Sequence, residues 1–319
     1  MAFIANNLQF YCHFCHSRES GNPVISSCSG LLLEFIPMKI GVGVTSFRLF
    51  TRPSGMDLMK EGKYIYCIIE TKIDRNFGPI GIGGRGNEVS TIGYGDLSMV
   101  ISNSPMTKYV VSRENLLAHE KVVEEVMKEF TVLPVRFCTI ASNADEIRGL
   151  LNRRHREFKN LLRDMDHKIE LGIKGLWKNM ETIFKEITKE NNEIKRLKQK
   201  LQNDKGKKNI SSTRTFLDVK MEVGKLVEDA LKRKKEKEAE KIVGALRRTA
   251  FDHKLNNTIN DEMFINAAFL VDRGREKEFD NIMDDLSEEY KDRIKFMYVG
   301  PLPPYNFVNI TIYPAEWEK

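Results

Sequence analysis

The strongest constraint on the fold is a long helical pattern in the middle of the chain, between residues 178 and 255. Its first part carries apolar side chains every seven residues, at Met180, Ile187, Ile194 and Leu201. A seven-residue repeat places one apolar stripe along one side of a helix. The polar segment Asn203–Thr213 predicts a loop, and the helical pattern resumes from Phe216 to Phe251. The sequence therefore predicts an antiparallel helical hairpin, with the stripe packed inside it or against a partner helix.

Strands are predicted on both sides of the hairpin, by alternation or by continuous apolar runs, at Lys168–Trp177, Met263–Val271, Arg293–Val299 and Phe307–Tyr313. The amphipathic segment Arg275–Tyr290 predicts a helix among them. This order is close to the strand–helix–strand–strand–helix–strand order of ferredoxin-like domains. Residues 164–319 are therefore predicted to form a ferredoxin-like variant domain with the helical hairpin 178–255 inserted.

The part of the chain before residue 164 predicts an α+β domain at residues 60–163. Strands are indicated by β-branched and aromatic residues at Tyr64–Glu70, Glu88–Gly93, Leu97–Ser102 and Thr131–Ile140. Helical spacing covers Arg113–Phe130, with Ser112 as N-cap, and Ser142–Leu162. Pro134 lacks an N–H for the strand ladder, which predicts an edge strand or a bulge there.

The first residues of the chain carry the C-x-x-C-H pattern Cys12–His16, which is typical of covalent haem attachment. A zinc site is an alternative, but no fourth ligand stands at a suitable spacing. Residues 16–25 instead resemble a translated intergenic repeat. Residues 1–59 are therefore predicted to be a non-native upstream extension or disordered, with the working protein starting near Met56 or Met59. The five cysteines indicate a reducing cytoplasm rather than a disulfide framework.

Two further motifs resemble functional sites, but each lacks part of the pattern that the function requires. Gly81, Gly83 and Gly86 fit G-x-G-x-x-G, but a strand-like segment follows them where a dinucleotide site needs a helix. His119 and Glu120 lie on a predicted helix, yet the position four residues after His119 is Val123 rather than a second ligand. The sequence therefore predicts no catalytic, cofactor-binding or metal-ligating residue, and no cofactor.

Charge is distributed unevenly along the chain, whose formal net charge is +6. Between Lys174 and Lys254 there are 23 Lys and Arg against 13 Asp and Glu, whereas acidic residues dominate after Asp261. A basic centre offers nucleic acid binding as an alternative function, but acidic residues are interleaved and stacking aromatics are few. No apolar run approaches the roughly 18 residues of a membrane span. Membrane, nucleic acid and small-molecule partners are therefore not favoured.

Three stretches together resemble a known family. They are Tyr64–Glu70, then His119–Thr139 with its V-L-P and R-F-x-T, and last Asn266–Val271 followed by Val299–Val308, VGPLPPYNFV. This pattern resembles the gas vesicle accessory proteins of the GvpF/GvpL family over roughly residues 63–313. Two positions depart from the family pattern, since Leu302 stands where Trp is common and Cys138 where Gly is common.

The resemblance implies a cytoplasmic, non-catalytic accessory protein of gas vesicle assembly. Such a protein binds the small shell-forming protein and other accessory gas vesicle proteins, and is associated with gas vesicles. The physical interpretation of the GPLPPYNF segment is a rigid turn that seats the tail, because Pro301, Pro303 and Pro304 fix the backbone. Arg136 is expected to pair with an acidic residue such as Glu120. The working surface is predicted to lie along the charged helices Met180–Phe251.

Overall fold

A computed structural model describes residues 61–84, 86–106, 109–204 and 212–312 of the chain. Within these residues the chain forms two antiparallel sheets with helices packed on them, so the predicted α+β class is confirmed. The predicted extension at residues 1–59, with Cys12–His16, lies outside the described residues. The predicted domain boundaries, 60–163 and 164–319, stay a prediction.

The first sheet has five strands in the order β2-β3-β4-β1-β5. They are β1 Glu61–Glu70, β2 Asn76–Gly78, β3 Val89–Tyr94, β4 Leu97–Pro105 and β5 Leu133–Ala141. The strand β1 is an interior strand between β4 and β5, and its residues 64–69 are fully buried, which explains its continuous apolar sequence. Pro134 lies at the sheet edge, in a strand whose pairing with β1 shifts register nearby, as its missing N–H predicts.

Three helices pack on the first sheet: α1 Arg113–Met127, α2 Ala144–Arg153 and α3 His155–Met165. Ser112 caps α1 by accepting the backbone N–H of Asn115, as predicted. The prediction of one helix over Ser142–Leu162 is wrong. The backbone leaves the helical region at Arg154, with ψ at 17°, and the guanidinium of Arg154 bonds the carbonyl oxygen of Thr311. Helical periodicity contains no signal of such a distant partner.

The second sheet has four strands in the order β7-β8-β6-β9. They are β6 Lys168–Trp177, β7 Ala250–Leu255, β8 Met263–Asp272 and β9 Ile294–Leu302, with helix α7 Glu276–Glu289 between the last two. From β6 onward the order is strand, helices, strand, strand, helix, strand. The ferredoxin-like assignment of this part of the chain stays a prediction.

Two predictions about this sheet are wrong. The helical pattern predicts a helix as far as Phe251, but the chain forms β7 from Ala250, an edge strand that is largely exposed and so lacks the alternating pattern. The predicted strand at Phe307–Tyr313 is absent over its described part. There Ile310 forms a single parallel bridge to Val135 of the first sheet, after prolines that cannot donate to a ladder.

The helical insertion consists of α4 Met180–Glu190, α5 Asn192–Asp204 and α6 Ser212–Leu246. The predicted stripe packs inside it, since Ile187 and Ile194 share a buried cluster with residues of α6 and Met180 packs against that cluster. The helix is interrupted between α4 and α5, where Asn191 has an extended backbone and its side chain accepts the N–H groups of the following turn. Asparagine is a favoured N-cap, so this interruption had a signal in the sequence.

The segment Lys232–Lys241 of α6 has almost no apolar side chains, and part of its polar surface faces other elements of the fold. Arg293 donates to both carboxylate oxygens of Glu186, at 2.7 and 2.9 Å, and to Glu238 at 2.7 Å. Lys234 also bonds Glu186, at 2.9 Å. These bonds, chiefly from Arg293, hold the pKa of Glu186 at about 2. A charged network thus fixes α4 and α6 to the start of β9.

Candidate functional site

The GPLPPYNF segment begins with a glycine that no other residue replaces easily. Gly300 has φ at +146°, and a Cβ there would lie 2.5 Å from Cδ2 of Leu171. Glycine meets both conditions because it tolerates positive φ and has no side chain. After Pro303 and Pro304 the chain turns, and the N–H of Val308 bonds the Pro304 carbonyl at 2.9 Å. The segment is therefore a rigid turn against β6, as its prolines predict.

A buried carboxylate holds this turn. Glu170 of β6 is only 3% exposed and accepts the backbone N–H of Asn306 at 2.7 Å as well as its side-chain amide. Lys254 donates to the carbonyl oxygen of Asn306, at 2.7 Å. Burial raises the pKa of Glu170 to about 7, against the opposing effect of the Asn306 donors and Lys254.

The residues after the turn cross to the first sheet, and we call residues 303–312 the strap. Val308 and Ile310 are buried in a cluster with side chains of β5, α2 and α3. Arg136 bonds the side-chain oxygen of Asn309 at 3.1 Å, so the expected pairing of Arg136 with Glu120 is wrong. Arg136 stands exposed at the sheet edge where the strap passes. The strap therefore joins the second sheet to the first.

His119 of α1 belongs to a buried aromatic cluster against the first sheet. Nδ1 of His119 lies 3.0 Å from Oη of Tyr64, which also accepts the N–H of Cys138 at 3.0 Å. The rings of Tyr66 and Phe137 lie within 6 Å of the imidazole. Burial lowers the pKa of His119 to about 4, and the backbone of Val135 only partly opposes this.

His119 is therefore a neutral imidazole whose surroundings are aromatic rings. No group of three or more His, Cys, Asp and Glu side chains that suits a metal ion occurs in the described part of the chain. Cys138, beside the cluster, has φ at +66°. This is the left-handed region that glycine occupies without strain, which gives a physical reason for glycine at that position in the pattern that the sequence resembles.

The Gly-x-Gly-x-x-Gly loop folds back onto the same cluster. The N–H of Ile82 donates to Oη of Tyr66 at 2.8 Å, and the N–H of Gly81 bonds the carbonyl oxygen of Asn87 at 2.9 Å. Gly83 and Gly86 both have positive φ. The loop leads from β2 into β3 rather than into a helix, so it lacks the helix N-terminus on which a pyrophosphate binds.

Exposed apolar side chains mark the helical insertion. Leu217 and Met221, four residues apart on α6, are 54% and 62% exposed, whereas Val219 between them is buried. Residues four apart lie on one side of a helix, so Leu217 and Met221 form one apolar patch. We call α5 together with the first half of α6 the helical arm. No helix in the described ranges has the length and apolar character needed to cross a bilayer.

A family model described as gas vesicle synthesis protein GvpL/GvpF matches residues 62–309. The chain belongs to the GvpL/GvpF family. The match covers both sheets, the helical insertion and most of the strap, so the resemblance seen in the three sequence stretches is confirmed. Membership links the protein to gas vesicle formation.

Known proteins of the family match over most of their length. Gas vesicle protein F1 of Halobacterium salinarum is 29% identical over 257 residues, which is 80% of this chain and 96% of the relative. Gas vesicle protein F of Dolichospermum flosaquae is 28% identical over 218 residues, 67% of this chain and 85% of the relative.

Solved structures of the family share the fold. The crystal structure of GvpF from an Anabaena species aligns with a TM-score of 0.65 at 22% identity, covering 79% of this chain and 100% of that one. GvpF from Microcystis aeruginosa aligns with a TM-score of 0.65 at 24% identity, covering 78% of this chain and 99% of that one.

Proposed function

We propose that this protein is a non-catalytic accessory protein of gas vesicle assembly. It acts in the cytoplasm, associated with gas vesicles, by binding the small shell protein and other accessory gas vesicle proteins. The observation that carries this proposal is the family match over residues 62–309. The coverage of 96% of the Halobacterium relative adds that the likeness extends over a whole protein rather than one shared module.

The helical arm is the surface we assign to shell-protein binding. Leu217 and Met221 expose an apolar patch, and the exposed residues around it include Lys220 and Lys225. An exposed apolar patch with a charged rim is typical of protein interaction sites. A small, apolar shell protein has the matching chemistry for such a patch.

Capture of the shell protein by the full-length chain tests this assignment. The variant carrying Leu217→Glu and Met221→Glu is expected to lose capture while its circular dichroism and thermal midpoint stay unchanged, because both side chains are already in solvent. Val110→Glu is the matched control, since Val110 is exposed between β4 and α1 and far along the chain from the arm. Equal capture by the two variants would reject the arm as the surface.

Two results would reject the function itself. One is that the wild-type chain fails to capture the shell protein in any solution condition. The other is that cells lacking the protein still form normal gas vesicles.

Nucleic acid binding is the alternative function to be tested, because the helical insertion is basic. Part of that charge is neutralised by ion pairs such as Lys185 with Glu181 and Arg247 with Glu240. We expect no salt-sensitive shift of DNA or RNA at physiological ionic strength. A strong shift that is lost on adding salt would favour the nucleic acid alternative over shell-protein binding.

A further inference from the structure

The strand β7 leaves one edge of the second sheet open. It is the terminal strand in the order β7-β8-β6-β9, and its side chains Phe251 and Leu255 are 64% and 58% exposed. The other three edges are shortened or blocked. β2 has three residues, β5 is bridged by the strap at Val135, and β9 contains Pro301. Open edges attract a further strand, and proteins usually block them.

The main-chain groups that face outward on β7 follow from its pairing. The N–H of Asn256 bonds the carbonyl oxygen of Asn266 in β8, at 2.7 Å. Because antiparallel strands alternate the direction of these groups, the N–H and C=O of Leu255 and His253 point away from β8. The N–H of His253 lies 2.8 Å from Oδ1 of Asp252, its neighbour, so no strand uses it.

The sequence of β7 is complementary to itself in one antiparallel register. If His253 faces His253 of a second copy, Asp252 faces Lys254 of that copy and Phe251 faces Leu255. Opposite charges and apolar pairs directly across two strands stabilise a sheet. Moving the centre of the pairing to Asp252 or to Lys254 sets two like charges against each other, which destabilises it. Neither side chain forms a salt bridge within the described residues; Lys254 donates to the Asn306 carbonyl oxygen and Asp252 accepts the His253 N–H, so pairing with a second copy exchanges these hydrogen bonds for two ion pairs.

We propose that a second copy of this chain pairs antiparallel with β7, centred on His253. The two four-stranded sheets then form one continuous sheet, and the contact is the same on both copies, as two-fold symmetry requires. This dimer goes beyond the proposed function and does not depend on it. Because β7 has only six residues, the contact is smaller than a standard interface and the dimer dissociates on dilution.

Exchange of the two charges tests the register in the full-length protein. Sedimentation velocity from low micromolar to submillimolar concentration is expected to show a dimer for the wild type. Asp252→Lys alone and Lys254→Asp alone each replace two attractive pairs by two repulsive ones, and each weakens the dimer about tenfold or more. The variant carrying both substitutions restores opposite charges and therefore restores the dimer.

A cross-link gives a second measurement that does not depend on charge. His253→Cys places two thiols across the two-fold axis, where paired residues of adjacent strands have Cα atoms about 5.5 Å apart, a spacing that a disulfide spans. Oxidation is expected to produce covalent dimer from this variant. Asp252→Cys is the control, because position 252 faces position 254 in this register and does not face itself.

Three results would overturn the proposal. The first is a wild type that remains monomeric at every concentration. The second is a dimer that the single charge variants do not weaken or that the double variant does not restore, with all variants folded by circular dichroism. The third is an edge that cross-links to a strand of the shell protein and not to a second copy.

Discussion

Two buried titratable side chains, one against the first sheet and one in the second, respond to burial in opposite ways. His119, on α1 against the first sheet, lies among aromatic rings and has a single hydrogen-bonded side-chain neighbour, Tyr64. Burial lowers its pKa to about 4. In the second sheet Glu170 receives two donors from Asn306, yet burial raises its pKa to about 7. Burial favours the neutral form in both cases, which moves the pKa of a base and an acid in opposite directions.

The difference sets opposite dependences of stability on pH. The imidazole has an ordinary pKa of 6.5, so the stability tied to neutral His119 is present above pH 6.5 and is lost as pH falls through about 4. The carboxyl has an ordinary pKa of 4.5, so the stability tied to Glu170 is present below pH 4.5 and is lost as pH rises through about 7. Glu120 on α1 acts in the same direction as Glu170, because burial and Glu124 raise its pKa to about 7.

Removing the carboxyl of Glu170 is expected to have the largest effect on the free energy of unfolding. Glu170→Ala leaves both Asn306 donors without an acceptor in a buried place, and the free energy of unfolding at pH 6 should fall by about 3 kcal/mol. Urea denaturation measures it. Glu170→Gln is the control, since it keeps the volume and one acceptor and should lose less than half as much. Equal losses for Ala and Gln would mean that the hydrogen bonds to Asn306 contribute little.

The opposite pH dependences of His119 and Glu170 can be measured as differences in unfolding free energy between a variant and the wild type. Relative to wild type, Glu170→Gln should gain roughly 3 kcal/mol of unfolding free energy as pH rises from 4.5 to about 7. His119→Asn should gain a similar amount as pH falls from 6.5 to about 4. Urea midpoints at several pH values give both differences. If the two differences slope the same way with pH, the assignment of one of these protonation states is wrong.

The aromatic cluster of the first sheet gives a smaller expected effect. Tyr64→Phe removes the oxygen that accepts the Cys138 N–H and contacts His119, at a cost of about 1–2 kcal/mol. Tyr94→Phe is the matched control, because Tyr94 is exposed and should change the thermal midpoint very little. A Tyr64→Phe protein as stable as the Tyr94→Phe protein would show that the buried hydroxyl is replaced by other contacts.

The contact between Arg136 and the strap should matter least. Arg136→Ala removes one hydrogen bond to a neutral side chain at an exposed position, so the loss should stay below about 0.5 kcal/mol. Arg154→Ala should cost more, because Arg154 bonds the Thr311 carbonyl and Glu157 and lies over the Phe158 ring. Chemical denaturation of both variants orders the two contacts. The reverse order would place the main attachment of the strap on β5.

Much of the fold can be predicted from local sequence pattern. The wrong predictions share one cause, which is that the residues concerned take their structure from contacts distant in sequence. The apolar run of β1 and the cap at Ser112 depend on neighbouring residues, so the sequence predicted them. Residues 250–255 of β7 pair with β8 but face solvent, and their sequence has no strand signal. The alternating apolar residues of Phe307–Tyr313 predict a strand, but Val308 and Ile310 are buried against the first sheet instead.

The buried titratable groups could not have been found in this way. Glu170 alternates with apolar residues in β6, a pattern that ordinarily places a glutamate in solvent. Its partner Asn306 is 136 residues away in sequence. His119 contacts Tyr64 at a separation of 55 residues. The Gly81–Gly86 loop, in contrast, is distinguished from a dinucleotide-binding loop by its neighbours in sequence, because the element after it, β3, is a strand and not a helix.

The strap has a consequence for how the protein is made. Arg136 and Asn309, which meet at the edge of the first sheet, are 173 residues apart, and ribosomes deliver the N-terminal residue first. Strands β1 to β5 therefore leave the ribosome long before the residues that close their edge are translated. During that interval the nascent chain presents an unprotected β5 and an unfilled site for Val308 and Ile310, which invites non-native association. We expect a stop codon placed before residue 303 to impair the folding of the half of the protein that was synthesised first.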